Sequence, residues 1–415
     1  MKTHETHPVA VLGGGIAGIT VALELHRAGI PVVVVEKSPF FGGRAASFVC
    51  KATDVCQKCG ACRVDQALRD LFATPEIRRL PQTQVTAARQ ENGLWRLTLA
   101  RQPQVVDPGR CIDCGLCLPE CPLAGALLTT VSAENHPRFA VDPAVCRYFQ
   151  DGSCRRCEEV CPTQAIELSR PAATVELTAA GVVVATGYQP SPPPPRSVFA
   201  RAGLPQVITG RELEELLRRG GPLVRPADGR LVRRLAFIQC VGSRDREHAY
   251  CSRVCCGYGL RLARLVRHRW PEMHVSTFYM DLQNVGPDPE EFEAAVSREL
   301  ELIRALPGDL ATTSDGSLKL RFLDDQSGKT LFRVVDLLVL AVGIAPGPDN
   351  ARLAEMLQLP VSPDGFLVPG GNGSSSLPPG VFLAGTATGP YSILECITQA
   401  AQAARQVCRY LEETL

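Results

Sequence analysis

The chain has 415 residues, 45% of them hydrophobic, and a formal net charge of +1. That length allows two or three domains with cores of their own. A charge this near zero excludes a broad basic field for nucleic acid, and no apolar run approaches the roughly 20 residues of a membrane span. The first residues, MKTHETHPVAVLGGG, carry no charged-then-apolar leader pattern, so a cytoplasmic protein is expected. Eighteen cysteines are then unusual, because disulfides are rare in a reducing compartment. Sixteen fall in four local groups: 50/56/59/62, 111/114/117/121, 146/154/157/161 and 240/251/255/256. Groups of four thiolates at short spacing are what iron–sulfur clusters need.

Residues 9 to 36 read as a βαβ unit. Val9 to Leu12 is a strand, GGGIAG over 13–18 is a G-x-G-x-x-G turn, Ile19 to Ala28 a helix, and Pro31 to Val35 a second strand ending at Glu36. Gly13 serves the tight turn, Gly15 the approach of a pyrophosphate, and Gly18 the packing of helix on strand. The helix N-terminus offers free N–H groups to phosphate, and Glu36 suits a ribose. Together they predict a dinucleotide site, with Ala17 and Lys37 beside it.

FAD is preferred to NAD because Gly42-Gly43-Arg44 follows the acid, resembling the second pyrophosphate contact of two-dinucleotide-domain flavoproteins. The ATG turn at Thr186-Gly187 and the Gly380 to Thr386 segment, with Gly385, recur in that class.

Cys56-x2-Cys59-x2-Cys62 looks like the front of a cluster motif, which Cys50 could complete as a fourth cluster. A redox-active or metal-binding group beside the flavin, or free thiols, are the alternatives. Residues 110 to 168 hold two blocks that each end in Cys-Pro: Cys111-x2-Cys114-x2-Cys117-x3-Cys121, and Cys146-x7-Cys154-x2-Cys157-x3-Cys161. In two-cluster ferredoxins the fourth Cys of each block serves the other cluster. One [4Fe–4S] cluster is therefore expected on Cys111, Cys114, Cys117 and Cys161. The other is expected on Cys146, Cys154, Cys157 and Cys121. Zinc sites usually pair two short C-x2-C arms, which these blocks do not.

Pro190 to Pro195 reads as a stiff extended connector, and Arg211 to Arg219 as a short helix with a solvated face. Leu235 to Gln239 is a buried strand, and Leu260 to Val266 is helical. Between them, where a nicotinamide-binding domain would carry its Gly-rich phosphate loop, stands CVGSRDREHAYCSRVCC over 240–256. It predicts a cluster in place of the nucleotide. His248 inside it is either a proton donor or a solvated loop residue. Further strands are expected at His274 to Tyr279 and Leu337 to Val342, with a Gly/Ser/Pro loop over 369–379. Ser392-x-x-Glu395 is a capping box opening a last helix from Ile393 to about Glu412, with Cys396 and Cys408 as apolar fillers.

The GGGIAG, GGRAASF, Asp54-x-Cys56-x-x-Cys59, IQCVGSRD…YCSRVCC and GVFLAGTATGP motifs, with the inserted module, resemble the heterodisulfide reductase A subunit family over essentially the whole chain. The resemblance implies a thioredoxin-reductase-like α/β flavoprotein with Rossmann-type βαβ units and an inserted α+β two-cluster ferredoxin module. It implies Cys240, Cys251, Cys255 and Cys256 as ligands of an unusual cluster, and a last helix whose N-terminus, at Ile393, faces the flavin. It also implies B- and C-type subunits, hydrogenase or dehydrogenase modules and ferredoxin as partners. A homodimer is a further expectation. Long members carry an N-terminal domain and C-terminal ferredoxin modules that this sequence lacks, which bears against flavin-based bifurcation.

The expected division is an FAD domain over 1–108, 170–232 and 344–415, a ferredoxin module over 109–169, and a degenerate nucleotide-binding domain over 233–343. The leading reading is an electron-transferring FAD/iron–sulfur oxidoreductase subunit with three clusters and a candidate fourth. The rival is a stand-alone NAD(P)H-dependent reductase of a small molecule. Against it, only Gly257-x-Gly259 remains of a second glycine motif.

Overall fold

The fold is taken from a computed structural model. It describes residues 7–195, 197–200, 204–283, 289–325, 327–370 and 377–414. The middle of the expected Gly/Ser/Pro loop, 371–376, and the first six residues lie outside the described residues.

Strand β1 (Val9–Leu12), helix α1 (Ile16–Arg27) and strand β2 (Val32–Val35) open the chain. Both strands are continuously apolar because both faces of their sheet are covered. Helix α2 (Ala61–Phe72) and strand β3 (Arg78–Leu80) follow. Strands β4 (Thr83–Glu91) and β5 (Leu94–Arg101) form an antiparallel pair. The inserted module carries α3 (Cys117–Glu120), β6 (Leu127–Thr129), β7 (Phe139–Val141), α4 (Arg147–Asp151) and α5 (Arg156–Glu159). The chain leaves it through β8 (Ala173–Ala179), which pairs with β5 and so closes a three-stranded sheet at the neck of the module. Strand β9 (Gly181–Val184) then returns to β1 in parallel.

Strand β10 (Tyr188–Pro190) leads to β11 (Val207–Thr209), helix α6 (Gly210–Arg219), β12 (Arg234–Val241) and helix α7 (Cys255–Arg269). After β13 (His274–Phe278), α8 (Pro289–Glu299) and β14 (Glu301–Ile303) comes an antiparallel sheet of β15 (Asp309–Thr312), β16 (Leu318–Leu323) and β17 (Thr330–Val335). Strands β18 (Leu337–Val342) and β19 (Ile344–Pro346), helix α9 (Asn350–Leu357), strand β20 (Val381–Leu383) and helix α10 (Ile393–Thr414) complete the chain.

Two five-stranded parallel sheets result. Their orders are β20-β9-β1-β2-β3 and β11-β18-β12-β13-β14. The first gathers strands from opposite ends of the chain, so the segments before and after the inserted module share one core. The antiparallel ribbon β10–β19 joins the two sheets where the chain crosses between them twice. Strand β11 is hydrogen-bonded to β18 in the second sheet, although it precedes the expected boundary at 233.

Helix α6 corrects an expectation. It is not a solvated face: Leu213 and Leu217 enter the second core, and Glu214 is buried with them. The residue letters RELEELLRR look polar, but their apolar positions are four apart and share one face. Among the described residues, no helix is long and apolar enough to cross a membrane.

Candidate redox sites

The first site is built at the carboxyl ends of β1, β9 and β20, where open parallel sheets bind ligands. A Cβ on Gly18 would collide with the carbonyl oxygen of Gly13, so α1 can approach β1 only through glycine. Gly15 is different. Among the described residues, the nearest heavy atom that a Cβ there would meet beyond its own helix is Cα of Gly43, at 3.9 Å. Gly42 donates its N–H to Gly14 O at 2.7 Å, which brings the Gly42-Gly43-Arg44 turn onto the glycine loop.

Glu36 folds back over that loop. Its carboxylate accepts from Gly14 N at 2.6 Å and from Ser38 N at 2.7 Å. Burial raises its pKa against the pull of these bonds. Lys37 instead pairs with Asp349 at 2.6 Å, at an exposed position. Arg44 donates to Tyr188 O at 2.9 Å and lies over the Tyr188 ring. Thr186 has a buried hydroxyl with no partner among the described residues. Gly385 packs against Ala17 of α1 and donates its N–H to Gln399 of α10 at 3.2 Å, and Thr386 beside it is buried. Ile393, at the start of α10, lies against Gly60. Ser392 and Glu395 make reciprocal capping bonds of 2.8 and 3.3 Å there. An uncapped α1 N-terminus, the open space at Gly15 and the unpartnered Thr186 hydroxyl fit a dinucleotide.

The inserted module holds two cysteine-lined cavities. One is lined by Cys121, Cys146, Cys154 and Cys157 together with Pro122. The other is lined by Cys111, Cys114, Cys117 and Cys161 with Pro162. Each block's last cysteine therefore sits in the other block's cavity. The short helices α3 and α5 pack side by side and make this exchange possible. Burial and the neighbouring sulfurs push the Cys157 thiol up to about 12. Any metal bound there must displace protons. Among the described residues, no three His, Cys, Asp or Glu side chains are placed to hold a single metal ion. Thiols spread around a cavity suit a polynuclear cluster.

The third site lies at the carboxyl end of β12. The register between β12 and β18 shifts between Ile238 and Val241, and Cys240 takes a left-handed φ of 60°. Cys255 and Cys256 open α7. The thiols of Cys240, Cys255 and Cys256 lie close enough to act on one another. Their mutual interaction holds Cys240 and Cys256 below the ordinary thiol value, while Cys255 itself is pushed well up. Cys251 is half-buried and accepts the N–H of Arg253 at 3.3 Å. The charge of Arg244 acts with those of both Cys240 and Cys251.

Beside them, both amide atoms of Gln239 are buried without a partner among the described residues, facing Gly259 of α7. An unpartnered amide on the residue that precedes Cys240 leaves a donor for a bound group. The loop is pinned by Ser252, which accepts Ile344 N at 2.8 Å, and by Tyr250, which donates to Ile344 O at 2.9 Å. His248 Nδ1 lies 3.2 Å from Ser191 Oγ, tying the loop to the proline connector.

The fourth cysteine group is arranged differently. Cys50, Cys56 and Cys62 are exposed, and Cys59 is half-buried near Arg261 of α7. Cys396 is buried in the first core, where burial pushes its thiol up to about 12, and Cys408 packs on the edge of that core. Sequence reasoning missed Lys51 and Glu214, which form a buried ion pair between the 48–60 loop and α6. Nothing in the spacing of two residues 163 apart could have signalled it.

Comparison with known proteins gives two family models. Residues 11–80 match the NAD(P)-binding Rossmann-like domain, and residues 110–165 match the 4Fe-4S dicluster domain. Among curated relatives, the iron-sulfur A 2 subunit of CoB--CoM heterodisulfide reductase from Methanopyrus kandleri is 32% identical over 99% of this chain and 65% of its own length. The A subunit of H(2):CoB-CoM heterodisulfide,ferredoxin reductase from Methanothermobacter thermautotrophicus is 31% identical over 95% of this chain and 62% of its own length. This chain is a homologue of the heterodisulfide reductase A subunit. It spans somewhat less than two thirds of the length of these relatives. Thioredoxin reductase of Lactococcus lactis shares the fold, with a TM-score of 0.54 at 12% identity over 98% of this chain and 99% of that one. Bacillithiol disulfide reductase of Bacillus cereus shares it too, with a TM-score of 0.52 at 14% identity over 97% and 99%. The homologue thus has a thioredoxin-reductase-like fold with a segment matching the 4Fe-4S dicluster domain inserted.

Proposed function

We propose that this heterodisulfide reductase homologue is an FAD- and iron–sulfur-containing electron-transfer subunit of a heterodisulfide-reductase-like complex. The observation that carries the reading is the loop from Cys240 to Cys256. It occupies the strand–turn–helix of the second sheet where a reductase of this fold would place its nicotinamide phosphate loop. Three buried sulfurs converge there. The two inserted cavities add four thiols each.

Bound together, a flavin would supply the exchange between paired and single electrons, and the clusters single-electron conduction. The protein's own residues hold and tune. Gly15, Gly43, Thr186 and Glu36 bind and orient the dinucleotide. The capped N-terminus of α10 brings positive dipole charge to the same cleft and favours negative charge there. Cys240, Cys251, Cys255 and Cys256 hold the loop cluster, and the buried β12–α7 packing excludes water from it. The ferredoxin module carries electrons outward to partner subunits or a ferredoxin. The names of the relatives make a heterodisulfide the terminal acceptor of choice, reached through partners.

The test is an anaerobic titration of the purified chain, watched by flavin absorbance. A reduced ferredoxin should bleach the flavin, and neither NADH nor NADPH should do so. Rapid bleaching by a nicotinamide would overturn the reading in favour of a stand-alone reductase.

A further inference from the structure

Arg253 touches both candidate redox sites. Its backbone N–H donates to Sγ of Cys251 at 3.3 Å. Its guanidinium donates to Oε1 of Glu395 at 2.7 Å and to the carbonyl of Pro390 at 3.4 Å, and lies 5.4 Å from the centre of the Tyr391 ring. Pro390, Tyr391 and Glu395 are the capping region of α10. That helix lines the first site, because Gly385 donates to its Gln399 and packs on Ala17 of α1. Arg253 also has a left-handed φ of 58°, which a long side chain adopts only where its surroundings hold it.

We propose that Arg253 is a positioning residue that couples the two sites, fixing Cys251 in its ligand geometry and setting the reduction potential of the flavin. The inference rests on the reading of Cys240, Cys251, Cys255 and Cys256 as cluster ligands and deepens it. Two contributions are separable. The guanidinium neutralises the Glu395 carboxylate at the N-terminus of α10, which leaves the helix dipole unopposed there and favours reduction in that cleft. The planar fork, held by Glu395 and Pro390, clamps the loop to the helix in one geometry. A lysine would keep the charge and lose the fork.

The experiment compares the wild-type chain, Arg253→Ala and Arg253→Lys, all purified anaerobically with their cofactors. Flavin midpoint potential, iron per flavin and the EPR spectrum of the loop cluster are read. Arg253→Ala should shift the midpoint to lower potential and change the EPR line shape. Arg253→Lys should hold the midpoint near wild type and still change the line shape. A merely structural role would lower the yield but leave the potential and the spectrum of the folded protein unmoved. If both variants keep wild-type iron, midpoint and line shape, the coupling is overturned. If Arg253→Ala does not fold, the line shape of Arg253→Lys decides: changed supports the coupling, unchanged overturns it. A wild-type chain with no more iron than Cys255→Ser would instead overturn the cluster reading, and this inference with it.

Discussion

Lys51 and Glu214 form an ion pair of 2.9 Å with side chains only 2% and 1% exposed. Lys51 also lies over the rings of Phe48 and Tyr258, at 5.0 and 5.2 Å. The pair joins the loop that follows Gly43 to helix α6 of the second sheet. The neighbouring contacts repeat the link: Arg218 donates to Ser47 O, and Arg264 donates to Gln57 Oε1 at 2.6 Å. The two sheets are therefore held at one mutual orientation by buried polar contacts on one side and the β10–β19 ribbon on the other.

Breaking one half of that pair leaves a buried charge alone. Glu214→Gln should cost about 3–5 kcal/mol of stability. The apolar double variant Lys51→Met with Glu214→Leu should recover most of the loss. Denaturant titration of the cofactor-loaded protein checks both. A double variant no better than the single one would show that the charges themselves are required.

The two glycines of the first turn should fail in different ways. Gly18→Ala forces α1 off β1 and should destabilise the chain by about 1–3 kcal/mol or more. Gly15→Ala meets no protein atom closer than 3.9 Å. It should leave thermal stability of the flavin-free chain unchanged while flavin content falls. Retention of full flavin by Gly15→Ala would move the pyrophosphate elsewhere.

Cys121 lies in the cavity of the second block and not in that of its own. Cys121→Ser should therefore abolish the EPR signal of the cluster on Cys146, Cys154 and Cys157 and leave the cluster on Cys111, Cys114 and Cys117 intact. Loss of the latter signal alone would contradict the exchange.

Glu36 gives a pH dependence. Burial raises its carboxyl above the unfolded value, against hydrogen bonds from Ser38 and Gly14. Between the ordinary glutamate value and the raised one, the folded chain binds more protons than the unfolded chain. Stability of the flavin-free protein should therefore fall as pH rises through that window, by at most about 1.4 kcal/mol per pH unit for one proton. Glu36→Gln should remove this slope. Parallel stability curves for the two proteins would contradict it.

Much of the first site was legible in the sequence. The glycine turn, Glu36 and the Ser392–Glu395 cap are local patterns, and local geometry follows from local residues. The exchange of Cys121 and Cys161 could be read from the two blocks, because in two-cluster ferredoxins the fourth Cys of each block serves the other cluster. What was not legible depends on residues far apart. The polar letters of α6 hid a buried face because Glu214 has a partner on a loop 163 residues earlier. Lys37, beside Glu36, pairs with Asp349, 312 residues away, a contact that no local pattern shows. Of the cysteines at 50, 56, 59 and 62, three stand exposed, which their spacing does not show.

The most direct test of the central claim is iron, acid-labile sulfide and flavin counted per chain, in the anaerobically purified protein and in Cys255→Ser. The account predicts that the variant keeps its flavin and loses about four irons, one [4Fe–4S] cluster. Equal iron in the two proteins would mean that the loop from Cys240 to Cys256 holds no cluster, and the account would be wrong at its centre.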